Sequence, residues 1–321
     1  MTGGNRPGVL LMTYGSPASL ERDEVRDYLG RIRGGREPAP ELVDEFTRRY
    51  RLIGGSPLVE ITRAQAASLR DRLDTPVEVG MRFSEPSILA GLRRLADQDA
   101  GDVVAIIMSP QYSPMLMGGY ARALEEARGA LRKSAPRTSI AAAWHREPAF
   151  LDALATRVQE ARGAVAADGR DRVAVLMTAH SLPRRVAEQE PEYLAQLNDT
   201  ADAVAARAGL ASEEWRFCWQ SAGHEPGEWM TPDFADLMPQ LAAGGCRAVV
   251  VAPVQFLADH LEVLYDIDIA ARLQAERHGL VFSRIRSLNA DPLLIEALAA
   301  VARRTMGATA APAASRERFR A

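Results

Sequence analysis

The sequence predicts an α/β protein of two similar halves, each a parallel sheet of doubly wound type. Three observations lead there. Apolar runs of strand length alternate with Ala-, Leu- and Arg-rich helical stretches along the chain. The strand-like runs are almost continuously apolar, as strands buried on both faces must be. The chain also repeats itself. "LLMTYGSP" (10–17) resembles "VLMTAHSLP" (175–183), "VVAIIMSPQYSP" (103–114) resembles "AVVVAPVQFLAD" (248–259), and "EPAFLDALATRV" (147–158) resembles "DPLLIEALAAVA" (291–302). The last two pairs are offset by 145 and 144 residues, which places a boundary near 150–165.

In chain order the strands are "GVLLMTY" (8–14), "VEVGMRF" (77–83), "VVAIIMS" (103–109), "RVAVLMTA" (172–179), "EWRFCWQ" (214–220) and "RAVVVAPVQF" (247–256). Helical patterns lie between them at 62–73, 121–133 and 149–165, and each half is expected to hold about four strands. The Arg- and Gly-dense stretch 31–58 reads as a solvated helix followed by a turn. The small, polar, Pro-containing segment 305–321 is expected to be disordered.

Composition narrows the function. At 321 residues, 47% hydrophobic and 25% charged, the chain is an ordinary globular protein. A net charge of −3 gives no reason to expect a nucleic-acid partner. Lys133 is the one lysine, so any grip on an anion falls to arginine, whose planar fork suits carboxylates. Cys218 and Cys246 sit in or beside apolar runs and read as reduced core residues. Two cysteines cannot supply a four-cysteine iron–sulfur site. No signal-peptide pattern and no stretch long enough to span a bilayer are present, so a cytoplasmic protein without integral membrane contact is expected. The glycines do not follow a strand as in a dinucleotide or phosphate loop, so no nucleotide is expected, and neither a G-x-S-x-G element nor a Cys/His nucleophile pair occurs.

In open α/β sheets, ligands bind beyond the carboxyl ends of the strands. Tyr14, Gln111 or Tyr112, His180 and the segment Asp259 to Glu262 all follow such ends, and two facing halves would line one cleft with them. His180 is either a satisfied turn histidine or a base or metal ligand, two readings that its position alone weighs equally. Asp259 with Glu262 three residues on fits a helix N-cap and capping box. Yet Glu262 and Asp266, at i and i+4, put like charges on one helix face, which a cation nearby would relieve. His260 reads as a packing residue, and Tyr14 as either a hydrogen-bonded core tyrosine or a cleft residue.

Taken together, "YGSP" (14–17), "RRYRLIGGSPL" (48–58) with "ITRAQ" (61–65), "AHSLP" (179–183), "WQSAG" (219–223) with "TPDF" (231–234), and "DHLEVLYDID" (259–268) make the chain resemble the ferrochelatases. The likeness is strongest to the coproporphyrin III ferrochelatases of Gram-positive, actinobacterial-type bacteria. It covers about residues 8 to 303, and the set is specific although each segment alone is weak. It implies two Rossmann-like, chelatase-type halves. A porphyrin-gripping half would span 1–155 and a half with the metal-site residues 156–304, with the cleft between them. It further implies insertion of Fe²⁺, as substrate, into coproporphyrin III in haem b biosynthesis. The alternatives are a protoporphyrin IX enzyme, another tetrapyrrole chelatase, or a non-catalytic haem carrier on the same fold.

By the same resemblance, His180 and Glu262 are the catalytic and metal-site residues. Porphyrin contacts fall on Tyr14, Arg33, Arg49, Tyr50, Ser56 and Tyr120. Partners are the porphyrin and ferrous iron, with transient contacts to other haem-pathway enzymes, and the protein is expected to be a monomer. Two departures stand out. Relatives commonly have one more residue between the glycines and the serine than Gly54-Gly55-Ser56-Pro57. Several also carry a further carboxylate where this chain has Ala270.

Overall fold

Every long apolar run becomes a buried parallel strand. The computed structural model describes residues 6–167, 169, 172–223 and 227–310. The strands are β1 (Arg6–Thr13), β2 (Val77–Met81), β3 (Ala100–Ile107), β4 (Arg137–Ile140), β5 (Val173–His180), β6 (Trp215–Gln220), β7 (Ala248–Pro253) and β8 (Val281–Arg284). They form two four-stranded parallel sheets among the described residues, ordered β2-β1-β3-β4 and β6-β5-β7-β8. The two orders are the same topology written twice. Val9 pairs with Val77 and Val104 in the first sheet, and Val175 with Trp215 and Val250 in the second. The central strands are buried almost throughout, which is why their sequences lack the polar alternation of a one-sided sheet.

The helices are α1 (Arg22–Ile32), α2 (Pro40–Leu52), α3 (Leu58–Leu73), α4 (Ile88–Asp97), α5 (Pro114–Leu131), α6 (Pro148–Ala167), α7 (Arg184–Ala187), α8 (Pro191–Ala208), α9 (Phe234–Ala243), α10 (Arg272–Arg277) and α11 (Pro292–Ala310). A π-helix (Glu262–Ala271) runs directly into α10. The two repeat-related helices exchange partners. α6, which follows the first sheet, packs on β5, β7, β8 and α8, whereas α11, at the end of the second, packs on β3, β4 and α3. One apolar core therefore runs through both halves, joining Val9 and Ile106 to Val175 and Val250 through Phe150, Leu154, Leu294 and Leu298. Arg157 of α6 also pairs with Asp291 at the entry to α11, both side chains being largely buried. The crossed helices hold the two sheets in a fixed relation, and with them the two walls of whatever lies between.

Three expectations need correction. Residues 31–58 are not simply a solvated helix and a turn: α1 and α2 bury an inner face of Val25, Tyr28, Leu29, Val43 and Tyr50 that meets Leu261 of the other half. The exposed Arg31, Arg36, Arg48 and Arg51 mask that face in the sequence. Asp259 does not cap a helix. The helical segment starts beyond it as a π-helix with no side-chain cap, and Asp259 is occupied by Ser287, Asn289 and Arg284 instead. Residues 305–310 are not disordered but continue α11, with Thr305 Oγ1 donating to the Val301 carbonyl. The remainder of that segment, 311–321, lies outside the described residues.

Candidate active site

The carboxyl ends of β1, β2 and β3 face those of β5 and β7 across a cleft of about 450 Å³. Its walls are largely apolar and aromatic, with Leu29, Ile32, Phe46, Leu116 and Met117 contributed by the first half and Phe256 and Leu257 by the second. The chain leaves β1 through Gly15 at φ +96°, where a Cβ would also overlap the Ser84 hydroxyl. That turn delivers Tyr14 to the cleft, 42% exposed, edge-on to Phe83. The exposure settles its role in the fold: Tyr14 is a cleft residue and not a core tyrosine. Burial of the phenol's surroundings, with the Glu262 charge nearby, pushes its pKa up to about 12, against the opposing pull of Arg82. The phenol therefore stays protonated at neutral pH.

His180 is the last residue of β5. Its amide donates to Gln255 Oε1 at 2.7 Å, and Gln255 is itself fixed by the Tyr193 hydroxyl. Its Nδ1 lies 2.6 Å from the Ser181 carbonyl, which can only accept, so Nδ1 carries the proton. Its Nε2 lies 3.5 Å from Glu262 Oε2. The same Oε2 is shielded from water and has no hydrogen-bond partner. A buried carboxylate oxygen without a hydrogen bond is costly unless a cation or a proton comes to it. Among the described residues no third His, Cys, Asp or Glu joins the pair in a metal-binding cluster.

Behind Glu262, the π-helix places Asp266 next in line. Burial, aided by the Glu262 charge, raises its carboxyl pKa despite Arg49 and His180 nearby. Arg49 comes from α2 in the other half. Its Nε donates to Glu45 at 2.7 Å, its Nη1 lies 3.5 Å from Asp266, and its guanidinium sits 4.8 Å from the Tyr265 ring centre. It is mostly buried and borders the cleft.

Of the sequence-derived candidates, Tyr14, Arg49, Tyr50, Ser56, Tyr120, His180 and Glu262 all line this one cleft. Arg33 does not. It ends α1 next to the lining residue Ile32, with its Nε shielded and unbonded. Burial raises the phenol pKa of both Tyr50 and Tyr120. Gln111 and Tyr112 are also absent from the lining. Gln111 donates to Thr200, and the Tyr112 backbone pairs with Gln196, so both serve the seam with α8. His260 borders the cleft but its ring packs on Phe256 and its Nδ1 meets the Ala258 carbonyl, in keeping with a packing role.

The main omission is Arg82. Its guanidinium lies 4.6 Å from the Phe83 ring centre and 5.4 Å from that of Tyr120, and it lines the cleft. Gly119 makes room for it, since a Cβ there would overlap the guanidinium. Arg82 follows the end of β2, so the strand-end rule that selected Tyr14 and His180 could have found it. Gln255, just past β7, was missed for the same reason.

Two parallel sheets joined across a cleft, with an imidazole–carboxylate pair on one wall, define a chelatase-type protein. Solved structures agree on the fold: SirB from Bacillus subtilis with Fe³⁺ matches with a TM-score of 0.55 at 12% identity, covering 94% of this chain and 95% of that one. The ferrochelatase family model matches residues 6–306. A ferrochelatase from Deinococcus radiodurans is 39% identical over 305 residues, spanning 92% of this chain and 95% of that protein. Coproporphyrin III ferrochelatases from Geobacillus kaustophilus and Bacillus subtilis are 37% and 34% identical, covering 92% and 94% of this chain and 94% and 98% of their own lengths. This chain belongs to the ferrochelatase family. No described helix is long and apolar enough to cross a membrane.

Proposed function

We propose that this protein inserts ferrous iron into coproporphyrin III to give Fe-coproporphyrin III, with His180 and Glu262 at the metal-insertion site. The observation that carries the proposal is the pair itself: His180 Nε2 and Glu262 Oε2, the latter without a hydrogen-bond partner, lie 3.5 Å apart on two residues that line one cleft. Metallation replaces two pyrrole N–H bonds with N–Fe bonds and releases two protons. His180, with Nδ1–H tied to Ser181, has Nε2 free to accept a pyrrole proton. Glu262 supplies negative charge for the incoming dication and a second proton acceptor, and Asp266 behind it gives protons or ions a further station. Oxygen and imidazole donors both suit Fe²⁺, which here is substrate.

The opposite wall fits the role of holding the macrocycle. Aromatic and aliphatic side chains can flank its faces, while Arg49, Arg82 and the Ser56 hydroxyl lie at the same cleft for carboxylates. Arg33, outside the lining, is the weakest of the proposed contacts. Binding energy gained at the carboxylates can bend the ring so that a pyrrole lone pair leaves the plane, an interaction worth more in the transition state than in the ground state. A porphyrin with four propionates gains more from such cations than one with two.

The test is anaerobic Fe²⁺ insertion by purified protein, read as loss of porphyrin fluorescence. We expect kcat/KM for coproporphyrin III to exceed that for protoporphyrin IX by at least about tenfold, or about 1.4 kcal/mol. Equal efficiencies, or a preference for protoporphyrin IX, would make it a protoporphyrin enzyme. Metallation of neither, with tight binding of both, would make it a carrier.

A further inference from the structure

Glu262 stands at the first turn of a ten-residue π-helix. Helices of that type are rare and mostly confined to single turns, so a longer one needs support from outside. The support visible here is Arg284, the last residue of β8, whose side chain is only 12% exposed. Its Nε and Nη2 donate to the two carboxylate oxygens of Asp268 at 2.7 and 2.9 Å, a bidentate grip inside the π-helix. Nη2 also reaches Asp259 Oδ1 at 3.3 Å. Asp259 is then closed on its other sides: Ser287 Oγ donates to Oδ1 at 2.7 Å, Asn289 Nδ2 to Oδ2 at 3.0 Å, and its own amide donates to Asn289 Oδ1 at 2.9 Å.

Asp259 precedes Glu262 by three residues and Asp268 follows it by six, so one guanidinium holds both flanks of the segment that presents Glu262. We infer that Arg284 is a positioning residue for metal insertion, which through Asp259 and Asp268 fixes the Glu262 carboxylate beside His180 Nε2. Arg284 is absent from the cleft lining, so any effect on insertion is indirect. A carboxylate that must stay within reach of both imidazole and ion loses most of its value if its backbone can drift by an ångström. The inference rests on the assignment of Glu262 to the insertion site.

Arg284→Gln keeps a polar side chain but loses the double grip. We expect kcat for Fe²⁺ insertion to fall at least tenfold, while the coproporphyrin III Kd, read by fluorescence quenching, stays within twofold. In a Glu262→Gln background the same change should cost less than twofold, because the group it positions is already disabled. Amide exchange over 259–271 should quicken in the unliganded variant. An unchanged kcat, or a loss that multiplies in full upon that of Glu262→Gln, overturns the inference. If Arg284→Gln does not fold, Asn289→Ala removes both side-chain bonds to Asp259, the one from Nδ2 to Oδ2 and the one that Oδ1 accepts from the Asp259 amide. It should show the same split at about two- to threefold, and an unchanged kcat there overturns the inference as well. Wild-type protein that metallates neither porphyrin would defeat the functional proposal, whereas exchange over 259–271, which needs no turnover, would still judge the clamp.

Discussion

The ends of β1 and β5 are the same place in two copies of one topology, and they present opposite chemistry. β1 passes through Thr13 into Tyr14, a phenol held protonated near a cation. β5 ends on His180, an imidazole next to a carboxylate oxygen without a hydrogen-bond partner. The same contrast extends outward. The first half brings Arg49, Arg82 and Ser56 to the cleft, while the second brings Glu262 with Asp266 behind it. The repeated topology gives two equivalent strand edges, and on the proposed function the differences at those edges separate holding the substrate from transforming it. That separation predicts two classes of variant.

The largest effect should come from the second half. Glu262→Gln should lower kcat by about 100-fold, within the usual range for a proton-transfer group, with the porphyrin Kd little changed. Asp266→Asn, one station farther out, should cost about tenfold less than that. Steady-state insertion assays against Kd measurements check both. Equal small losses from the two would return them to the status of ordinary helix charges and erase the contrast between the halves.

The intermediate effect belongs to the first half. Arg49→Ala should weaken coproporphyrin III binding by about tenfold or more, as expected for a lost charge-assisted hydrogen bond of about 1.5–3 kcal/mol. Its kcat should change less than its Kd. Because Arg49 also faces Asp266 at 3.5 Å, a loss confined to kcat would mean that it serves the metal side instead.

The smallest effect concerns stability. The Asp266 carboxyl has a raised pKa in the folded protein, chiefly from burial, so its charged form disfavours the fold. The native state thus binds that proton more tightly, and stability from this group is lost as pH rises through the folded value. Asp266→Asn should therefore raise Tm slightly at pH 7. The gain should vanish as pH falls below the ordinary aspartate range of about 3.9. A gain that persists there would have another origin.

Much of this contrast was legible in the sequence because the central strands are buried on both faces and read as unbroken apolar runs. The edge strands β4 and β8 were not legible. "RTSI" and "VFSR" are short and half-exposed, with too few apolar residues to mark a strand. The repeat located the strand ends, and the strand ends located Tyr14 and His180. It gave no hint that α6 and α11 would exchange sheets, since that depends on packing between distant segments and not on local pattern. The π-helix was equally invisible: "EVLYDIDIAA" has the composition of an ordinary helix, and what sustains its unusual winding includes Arg284, some twenty residues away. Arg82 went unnoticed because a single arginine among so many carries no signal until Gly119 and Tyr120 are seen around it.

The division of labour is tested most directly by His180→Ala, measured for coproporphyrin III affinity and for anaerobic Fe²⁺ insertion on the same preparation. We expect the Kd to stay within about threefold of wild type while turnover falls by about 10²–10⁴-fold, the usual value of a positioned acid–base group. Turnover above a few per cent of wild type, or a loss of binding that matches the loss of turnover, would contradict it.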